Sequence, residues 1–285
     1  MIPAAAQASV PAAARAGSLQ ERAARLSAAR LKGKTGRYLI YLGVFGLVVW
    51  SVHGTIVVDT DWERIGGLSA IARSVGRFAA VDFELVPHLL GPTLETFMVA
   101  CLGTLLGMCM SVPVAWLGAR NIAPFAPIAY PIARALMTIS RSVHEIVWAL
   151  IFVSAVGLGA LPGILALALR SIGFISKMTA EAIEDVDPKV IEAIRAVGGN
   201  RFQIVLYGIL PQILPVFLGT IIFEWDINIR RSAIMGLVGA GGLGLAFHRQ
   251  MVMYNYPGVT TVILAILSLI VIGEVVSYYG RKAVI

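Results

Sequence analysis

The sequence has few charged residues and almost no cysteine. Only 14% of its 285 residues are Asp, Glu, Lys or Arg, whereas 58% are hydrophobic. Soluble domains average about 25% charged residues, and intrinsic disorder requires low hydrophobicity, so both of these classes are excluded. Two cysteines are too few for a disulfide-rich secreted scaffold. This composition is typical of a polytopic membrane protein.

Sequence motifs for catalysis are also missing. The sequence has no G-x-x-x-x-G-K-[S/T] phosphate-binding loop, so the chain cannot hydrolyse ATP by that route. His144-Glu145 lacks the second histidine of H-E-x-x-H, and no G-x-S-x-G occurs. Cys101 and Cys109 are predicted to be small packing residues. We therefore predict that the chain is not an enzyme.

Long apolar runs are the main positive feature of the sequence. A segment that spans a bilayer must satisfy its backbone hydrogen bonds internally, so each run is predicted to be helical. The six predicted spans lie at about 38–58, 93–117, 127–156, 161–178, 209–229 and 259–279. The third is too long for one straight crossing. The sequence thus predicts an all-α integral membrane fold with about six transmembrane helices.

Most of the net charge of +7 lies in the N-terminal tail. Residues 1–37 contain seven basic side chains and one acidic one, Glu21, and an apolar run follows directly. With the N-terminus inside, the inner segments hold 14 Lys and Arg and the outer segments 6. This asymmetry predicts that both termini are cytoplasmic. The tail has no interleaved aromatic residues, so a nucleic-acid-binding arm is not favoured.

The segment 59–92 carries a second periodic pattern. Ile65, Leu68, Ile71, Val75 and Phe78 recur at spacings of three and four. This period predicts an amphipathic helix on the outer surface, either at the membrane interface or, as the favoured alternative, packed against the helix bundle.

The largest predicted cytoplasmic loop, residues 181–211, has the local chemistry of a helix–turn–helix. Asp187 and Pro188 suit the N-cap and first position of a helix. The pair Gly198-Gly199 is expected to end it. Asn200, with glutamine three residues later, resembles a capping box that opens a second helix.

The same loop resembles a known family motif. Glu192-Ala193-Ile194, then three residues, Gly198, nine residues and 208–211 (Gly-Ile-Leu-Pro) match the spacing of E-A-A-x3-G-x9-I-x-L-P, the EAA loop of ABC-importer permeases. Ile194 departs from the second Ala of the pattern, and Gly208 departs from its Ile. In that family the loop forms a coupling helix that docks on the ATP-hydrolysing subunit. The resemblance assigns ATPase coupling to Glu192, Ala193, Arg195, Gly198, Leu210 and Pro211.

Three further segments, 141–152, 165–184 and 223–244, resemble the phosphonate-type branch of these permeases. The resemblance covers roughly residues 90–279 and implies a type I ABC-importer permease fold. We accordingly predict a permease core (93–285), preceded by a tail (1–37) and by a first span with an outer segment (38–92). The resemblance implies import of a phosphonate or a related phosphorus oxyanion across the bacterial inner membrane. It also implies an extracytoplasmic binding protein, a second permease copy in a homodimer, and two ATP-binding subunits that hold ATP and Mg, with no cofactor in this chain.

Two alternatives stay open at this point. One is a permease of the same superfamily for another small solute such as methionine. The other is an ion-coupled secondary transporter, which inverted internal repeats would favour, and no clear repeat is present.

The glycine-rich segment 236–244 contains G-x-G-x-x-G. No β-α-β pattern surrounds it, and the next acidic residue, Glu274, is thirty residues beyond Gly244, so a dinucleotide site is not favoured. In the resembled family this segment dips between the last two spans and lines the translocation path. We therefore expect a gate that includes Gly236, Gly239, Gly241 and Gly242.

Charged residues inside the predicted spans need a reason, because each costs about 2.5–3.5 kcal/mol at mid-membrane. Arg141 and Glu145 have the i, i+4 spacing of an ion pair. A path for an oxyanion needs positive potential, so the candidate path residues are Arg141, Glu145, Arg170, Arg230 and Arg231. Alternatively, Glu224 and Asp226 neutralise the last two arginines. Structural pairing, rather than proton relay, is favoured for Glu95 and Glu274.

Overall fold

A computed structural model describes residues 36–58 and 67–284 of the chain. The chain divides at Ala72 into two units, which are described separately. Its main helices are α1 (Gly36–Val58), α2 (Gly67–Gly76), α3 (Leu90–Gly118), α4 (Ala126–Ser142), α5 (Glu145–Val156), α6 (Ala160–Glu184), α7 (Pro188–Ala196), α8 (Leu210–Met235), α9 (Gly242–Val252) and α10 (Tyr256–Val284). Shorter helical turns cover Arg77–Ala79, Phe83–Leu89, Arg201–Gln203, Ile204–Ile209 and Gly236–Val238.

Five helical segments among the described residues are long and apolar enough to cross a membrane. They are Gly36–Val58, Phe83–Leu117, Ala160–Glu184, Arg201–Val238 and Tyr256–Val284. A sixth crossing results if α4 and α5 are counted as one broken span. The predicted all-α membrane fold with about six spans is confirmed.

The third predicted span is broken into two helices. Segments 127–142 and 145–156 meet at an angle of 90°. Val143 and His144 both have extended backbone conformations, and the His144 Nδ1 atom accepts a hydrogen bond from the Ile146 amide, which caps the start of α5. This corner changes the direction of the chain without a proline or glycine at the break.

Helix α1 belongs to the first unit, and no residue in its apolar window is buried.

Helix α2 shows that part of the periodic segment 59–92 is helical, as its spacing predicts, but the helix ends at Gly76. Phe78 instead lies in the turn Arg77–Ala79, and its ring packs edge-on against Tyr256 at 5.1 Å. Ile65 and the N-terminal tail lie outside the described residues.

Helix α6 is the central helix of the second unit and packs against α3, α4, α5 and α8. Small residues allow the closest of these approaches. A Cβ at Gly107 on α3 would lie 2.6 Å from Ser171 Cβ, and one at Gly103 would lie 2.7 Å from Leu167 Cβ. Close packing through small residues is the usual way in which membrane helices associate. This packing fixes the position of the polar side chains that α6 carries.

Candidate functional site

The EAA-like loop, residues 181–211, folds as its sequence predicts. Asp187 caps α7 by accepting a hydrogen bond from the Lys189 amide at 2.9 Å, and Pro188 occupies the first turn. Gly198 follows the helix with φ +86°, a left-handed conformation that favours glycine. Asn200 and Gln203 form a complete capping box that opens the next helical turn. All three local predictions are confirmed.

Helix α7 and the turn that follows it are the most exposed part of the loop. No residue of α7 is buried, and Glu192, Ala193 and Arg195 are all exposed. Beyond the helix, the apolar side chains of Val197 and Phe202 are 85% and 71% exposed. An exposed apolar patch with charged residues beside it is typical of a protein-binding surface.

Hydrogen bonds tie this loop to α8 and to the connection between α3 and α4. Gln212 on α8 accepts from the Asp187 amide at 3.3 Å and donates to the Gly208 carbonyl at 2.8 Å. On the preceding side, Glu184 accepts from the Arg120 amide at 2.8 Å. The segment Ile204–Ile209, which joins the loop to α8, is a π-helix rather than an α-helix. The loop is therefore attached to α8 by side-chain hydrogen bonds as well as by the chain itself.

Inside the second unit, charged and neutral polar side chains of four helices form a largely buried network. Arg231 Nη1 lies 2.9 Å from Glu224 Oε1, and Arg231 Nε lies 3.3 Å from Glu145 Oε1. Ser171 Oγ donates to the same Glu224 oxygen at 3.0 Å. Asn228 Nδ2 extends the network by donating to the hydroxyls of Ser171 on α6 and Thr104 on α3, each at 2.9 Å. The network connects α3, α5, α6 and α8.

The structure corrects one predicted pair. Arg141 and Glu145 do not pair, because α4 ends at Ser142 and the corner places Glu145 on a different helix. Glu145 instead faces Arg231 and, at 3.8 Å, the Nε atom of Arg170. This arrangement depends on tertiary contacts that helical periodicity alone does not reveal.

The remaining candidate arginines differ in whether an acidic side chain neutralises their charge. Arg230 pairs with Asp226 one turn earlier, as the alternative from the sequence proposes, and Arg231 pairs with Glu224. Arg141 is exposed and has no acidic group within 4.0 Å among the described residues. One arginine therefore remains without a counter-ion in this part of the structure.

Arg141 lies in a cleft of about 420 Å³ between α4 and α6. The lining is strongly basic and consists of Arg134, Arg141, Arg170 and Lys177, with Met137, Thr138 and Ser142. Towards the EAA-like loop the cations are paired: Arg134 Nη2 lies 2.9 Å from Glu184 Oε2, and Lys177 Nζ lies 3.4 Å from Glu181 Oε1. At the other end of the cleft Arg141 is without such a partner.

The glycine segment is held by the start of α3. The Gly242 amide donates to Glu95 Oε2 at 3.0 Å, and the Leu243 amide donates to Thr96 Oγ1 at 2.8 Å. These acceptors satisfy amides at the start of α9 that have no partner within the helix. Glu95 thus has a structural partner, as expected, although the partner is backbone rather than a cation.

Positive φ angles and close packing explain the glycines of this segment. Gly239, Gly241 and Gly242 have φ values of +95°, +80° and +66°. A Cβ at Gly241 would collide with the Glu95 carboxylate, and one at Gly242 with the Thr96 hydroxyl. The Gly239 carbonyl also accepts from the Gly159 amide, next to the start of α6. The segment is therefore fastened to α3 and α6 together.

Glu274 does not join any of these groups. It lies exposed on α10 and has no ion-pair partner within 4.0 Å among the described residues. Sequence reasoning missed four site residues, because a hydroxyl or amide side chain within an apolar run gives no signal of its distant partner: Thr96, Thr104, Ser171 and Asn228.

Comparison with known proteins places this architecture in a family. The sequence profile of the family described as binding-protein-dependent transport system inner membrane component matches residues 100–283. The chain belongs to this family, whose members are permeases of ABC importers.

Individual relatives show which kinds of permease the chain resembles. The chain is 38% identical over 247 residues to the phosphite transport system permease protein PtxC of Stutzerimonas stutzeri, covering 87% of this chain and 88% of that protein. It is 42% identical to the phosphate-import permease protein PhnE of Mycolicibacterium smegmatis, covering 61% of this chain and 33% of that protein. It is 28% identical to a probable D-methionine transport system permease protein, MetI, of Pasteurella multocida, covering 61% of this chain and 87% of that protein.

A solved structure confirms the fold. The chain aligns with an inward-facing conformation of the MetNI methionine ABC transporter with a TM-score of 0.63 and 25% identity, covering 72% of this chain and 100% of that one. The type I ABC-importer permease fold predicted from the sequence is thus confirmed.

Proposed function

We propose that this chain is the membrane-spanning subunit of an ATP-driven importer for phosphonate, phosphite or a related phosphorus oxyanion. The observation that carries the proposal is the EAA-like loop, because its helix α7 has one exposed face and is tied to the membrane helix α8 through the hydrogen bond from the Asp187 amide to Gln212. Such a loop has the form of a docking element for a separate motor. The substrate class is supported by the phosphite and phosphate permeases among its relatives.

In this proposal, ATP hydrolysis by a partner subunit supplies the energy for transport. Two ATP-binding subunits, which hold ATP and Mg, bind the exposed surface through Glu192, Ala193, Arg195 and Gly198. Leu210 and Pro211 start α8 and carry the displacement into the membrane. An extracytoplasmic binding protein delivers the substrate to the opposite side of a homodimer of permease chains.

The loop also sets the orientation. Since the ATP-binding subunits are cytoplasmic, the end of α6 at Glu184 faces the cytoplasm, and so does the end of α10 at Val284. The excess of Lys and Arg in the corresponding loops supports both termini being cytoplasmic.

Transport by reconstituted protein tests this function. The permease, an ATP-binding subunit of a phosphite or phosphonate importer and its binding protein are placed in liposomes, and uptake of labelled phosphite, methylphosphonate, phosphate and D-methionine is measured. We expect uptake of a phosphorus oxyanion that requires all three proteins and ATP. Uptake by the permease alone would identify a secondary transporter, and uptake of D-methionine only would refute the proposed substrate.

Binding to the ATP-binding subunit is tested separately. Glu192→Ala should reduce co-purification of that subunit, because the side chain lies on the exposed face of α7. Glu84→Ala is a suitable control, since this exposed carboxylate lies far along the chain from the loop. Equal co-purification of both variants would contradict the assignment.

A further inference from the structure

We propose that Arg141 and Arg170 form an anion-binding site for a tetrahedral phosphorus oxyanion in the cleft between α4 and α6. The proposal rests on the proposed function and gives its substrate a place in the membrane. Its geometric basis is a cleft of about 420 Å³ with four cationic side chains in its lining.

The first argument is the charge balance around the cleft. Arg230 and Arg231 have acidic partners, and the two cations nearest the EAA-like loop are paired with Glu181 and Glu184. Arg141 has no acidic group within 4.0 Å among the described residues. An uncompensated charge in a membrane span is costly, so such residues mark sites where an ion binds or passes.

Arg170 provides a second, independent observation. Its Nη1 atom is buried and has no hydrogen-bond partner among the described residues. Its only acidic neighbour within 4.0 Å there, Glu145, is 3.8 Å away and lies closer to Arg231, at 3.3 Å. Buried polar groups are nearly always hydrogen-bonded, so an orphaned guanidinium nitrogen beside a cleft indicates an absent partner.

The fold makes room for Arg141 at this position. A Cβ at Gly173 on α6 would lie 2.8 Å from Arg141 Cγ. The amide of Gly173 also donates to the hydroxyl of Ser140 at 3.1 Å, which fixes α4 against α6 beside the cleft. The stem of Arg141 therefore packs on the backbone of α6, one turn from Arg170.

The chemistry of two guanidinium groups defines the ligand class. A guanidinium presents several N–H donors in a planar fork that matches the oxygens of a phosphorus oxyanion. Two of them at one end of a cleft favour an anion with three or more oxygens over a neutral or zwitterionic solute. A volume of about 420 Å³ holds such an anion together with part of its hydration shell.

The site lies at a depth that suits translocation. Arg170 is ten residues beyond the start of α6 at Ala160, about 15 Å along a 25-residue helix, which is near its middle. Lys177 lies about 10 Å further towards the EAA-like loop. An anion leaving Arg170 would therefore pass a second cation on its way to the end of the span.

Uptake by substituted transporters in liposomes tests the site. Arg141→Gln should lower uptake of phosphite at least about tenfold, the change expected when one charge-assisted hydrogen bond is lost. Arg141→Lys should keep more activity than Arg141→Gln. Arg249→Gln, which removes an exposed positive charge on α9, serves as the matched control. Assembly with the ATP-binding subunit should be unchanged in Arg141→Gln, so a loss of uptake cannot be ascribed to a missing subunit.

A chemical test detects the anion directly. Arg141→Cys is made in a background with Cys101→Ala and Cys109→Ala and is treated with thiol reagents. Aminoethyl methanethiosulfonate, which adds a positive charge, should restore uptake in part, whereas the sulfonatoethyl reagent should not. Added phosphite should slow the modification by the negatively charged reagent. Because the lipid is identical with and without phosphite, this protection distinguishes free anion from a lipid phosphate group.

The outcomes separate the two proposals. If the wild-type assembly takes up no phosphorus oxyanion, the proposed function fails and the site fails with it. If wild-type uptake is normal and Arg141→Gln transports equally well, the site alone is overturned. Loss of uptake without protection by phosphite would also overturn it, because Arg141 would then act without contacting the anion.

Discussion

The end of the Ile194 side chain fills the space in front of Gly208. A Cβ at Gly208 would lie 3.0 Å from Ile194 Cδ1, closer than ordinary van der Waals contact. These are the two positions at which the loop departs from the EAA pattern, where a small residue is expected at 194 and a large one at 208. The larger side chain at 194 therefore occupies the space that a larger side chain at 208 would need, at the contact between α7 and the π-helical turn.

This shared space predicts a compensating pair of substitutions. Gly208→Ile should destabilise the loop by about 1–3 kcal/mol, because extra methylenes enter a filled space. Gly208→Ile combined with Ile194→Ala should recover most of that loss. Thermal unfolding of the four combinations gives the coupling energy between the two positions.

Gly208→Ala provides the control, since the Ile194 methyl group can shift by a few tenths of an ångström. If Gly208→Ile and Ile194→Ala have strictly additive effects, the two side chains do not share this space.

Gly198 should be essential for the shape of the loop. Gly198→Ala places a side chain at φ +86°, which costs about 1–2 kcal/mol for an L-residue. A Cβ there meets no other atom within 4 Å, so the cost comes from the backbone alone. We expect weaker co-purification of the ATP-binding subunit with little change in overall folding.

Gly91→Ala is a matched comparison, because Gly91 also has open space around it but an ordinary backbone conformation. Equal effects of the two substitutions would show that the left-handed conformation is not needed for binding.

Disrupting the contact between Gly241 and Glu95 should reduce the rate of uptake. Gly241→Ala introduces a positive-φ strain and a collision with the Glu95 carboxylate, so the bond from the Gly242 amide should break. We expect reduced uptake with the assembly intact, and a stronger reduction for Gly241→Leu. Uptake in liposomes and size-exclusion chromatography of the assembly measure the two effects.

Gly157→Ala measures the backbone strain alone, without the collision. Gly157 has a similarly positive φ of +95°, but a Cβ there meets nothing within 4 Å. Full transport by Gly241→Leu would exclude a gating role for the segment 236–244.

The buried network should dominate the stability of the second unit. Glu224→Gln removes the nearer of the two acidic partners of Arg231 from a site where the Glu224 side chain is 1% exposed. Breaking a buried ion pair from one side typically costs about 3–5 kcal/mol. We expect a large fall in the unfolding temperature in detergent.

The double variant Glu224→Gln with Arg231→Gln should be less destabilised than the sum of the single variants, because no charge is then left unpaired. Strict additivity would show that the two groups do not interact.

The local features of this fold were predictable from sequence, whereas the partners of its charged residues were not. The Asp187 cap, the glycine stop and the Asn200 capping box depend on neighbours within a few residues, and all are present. Glu145 pairs with Arg231, 86 residues away, because the chain turns sharply between α4 and α5, and no proline or glycine in the sequence marks that turn. Hydropathy detected that the span was too long but could not place the break.

The π-helical turn Ile204–Ile209 has a consequence for how this loop can vary. A π-turn accommodates one more residue than an α-turn, so deleting a residue here would convert it to α-helix. Because the π-turn absorbs its extra residue locally, the segments on either side would keep their orientation, and the exposed face of α7 would keep its direction relative to α8. The π-turn therefore gives this loop one position at which its length can change without redirecting α7.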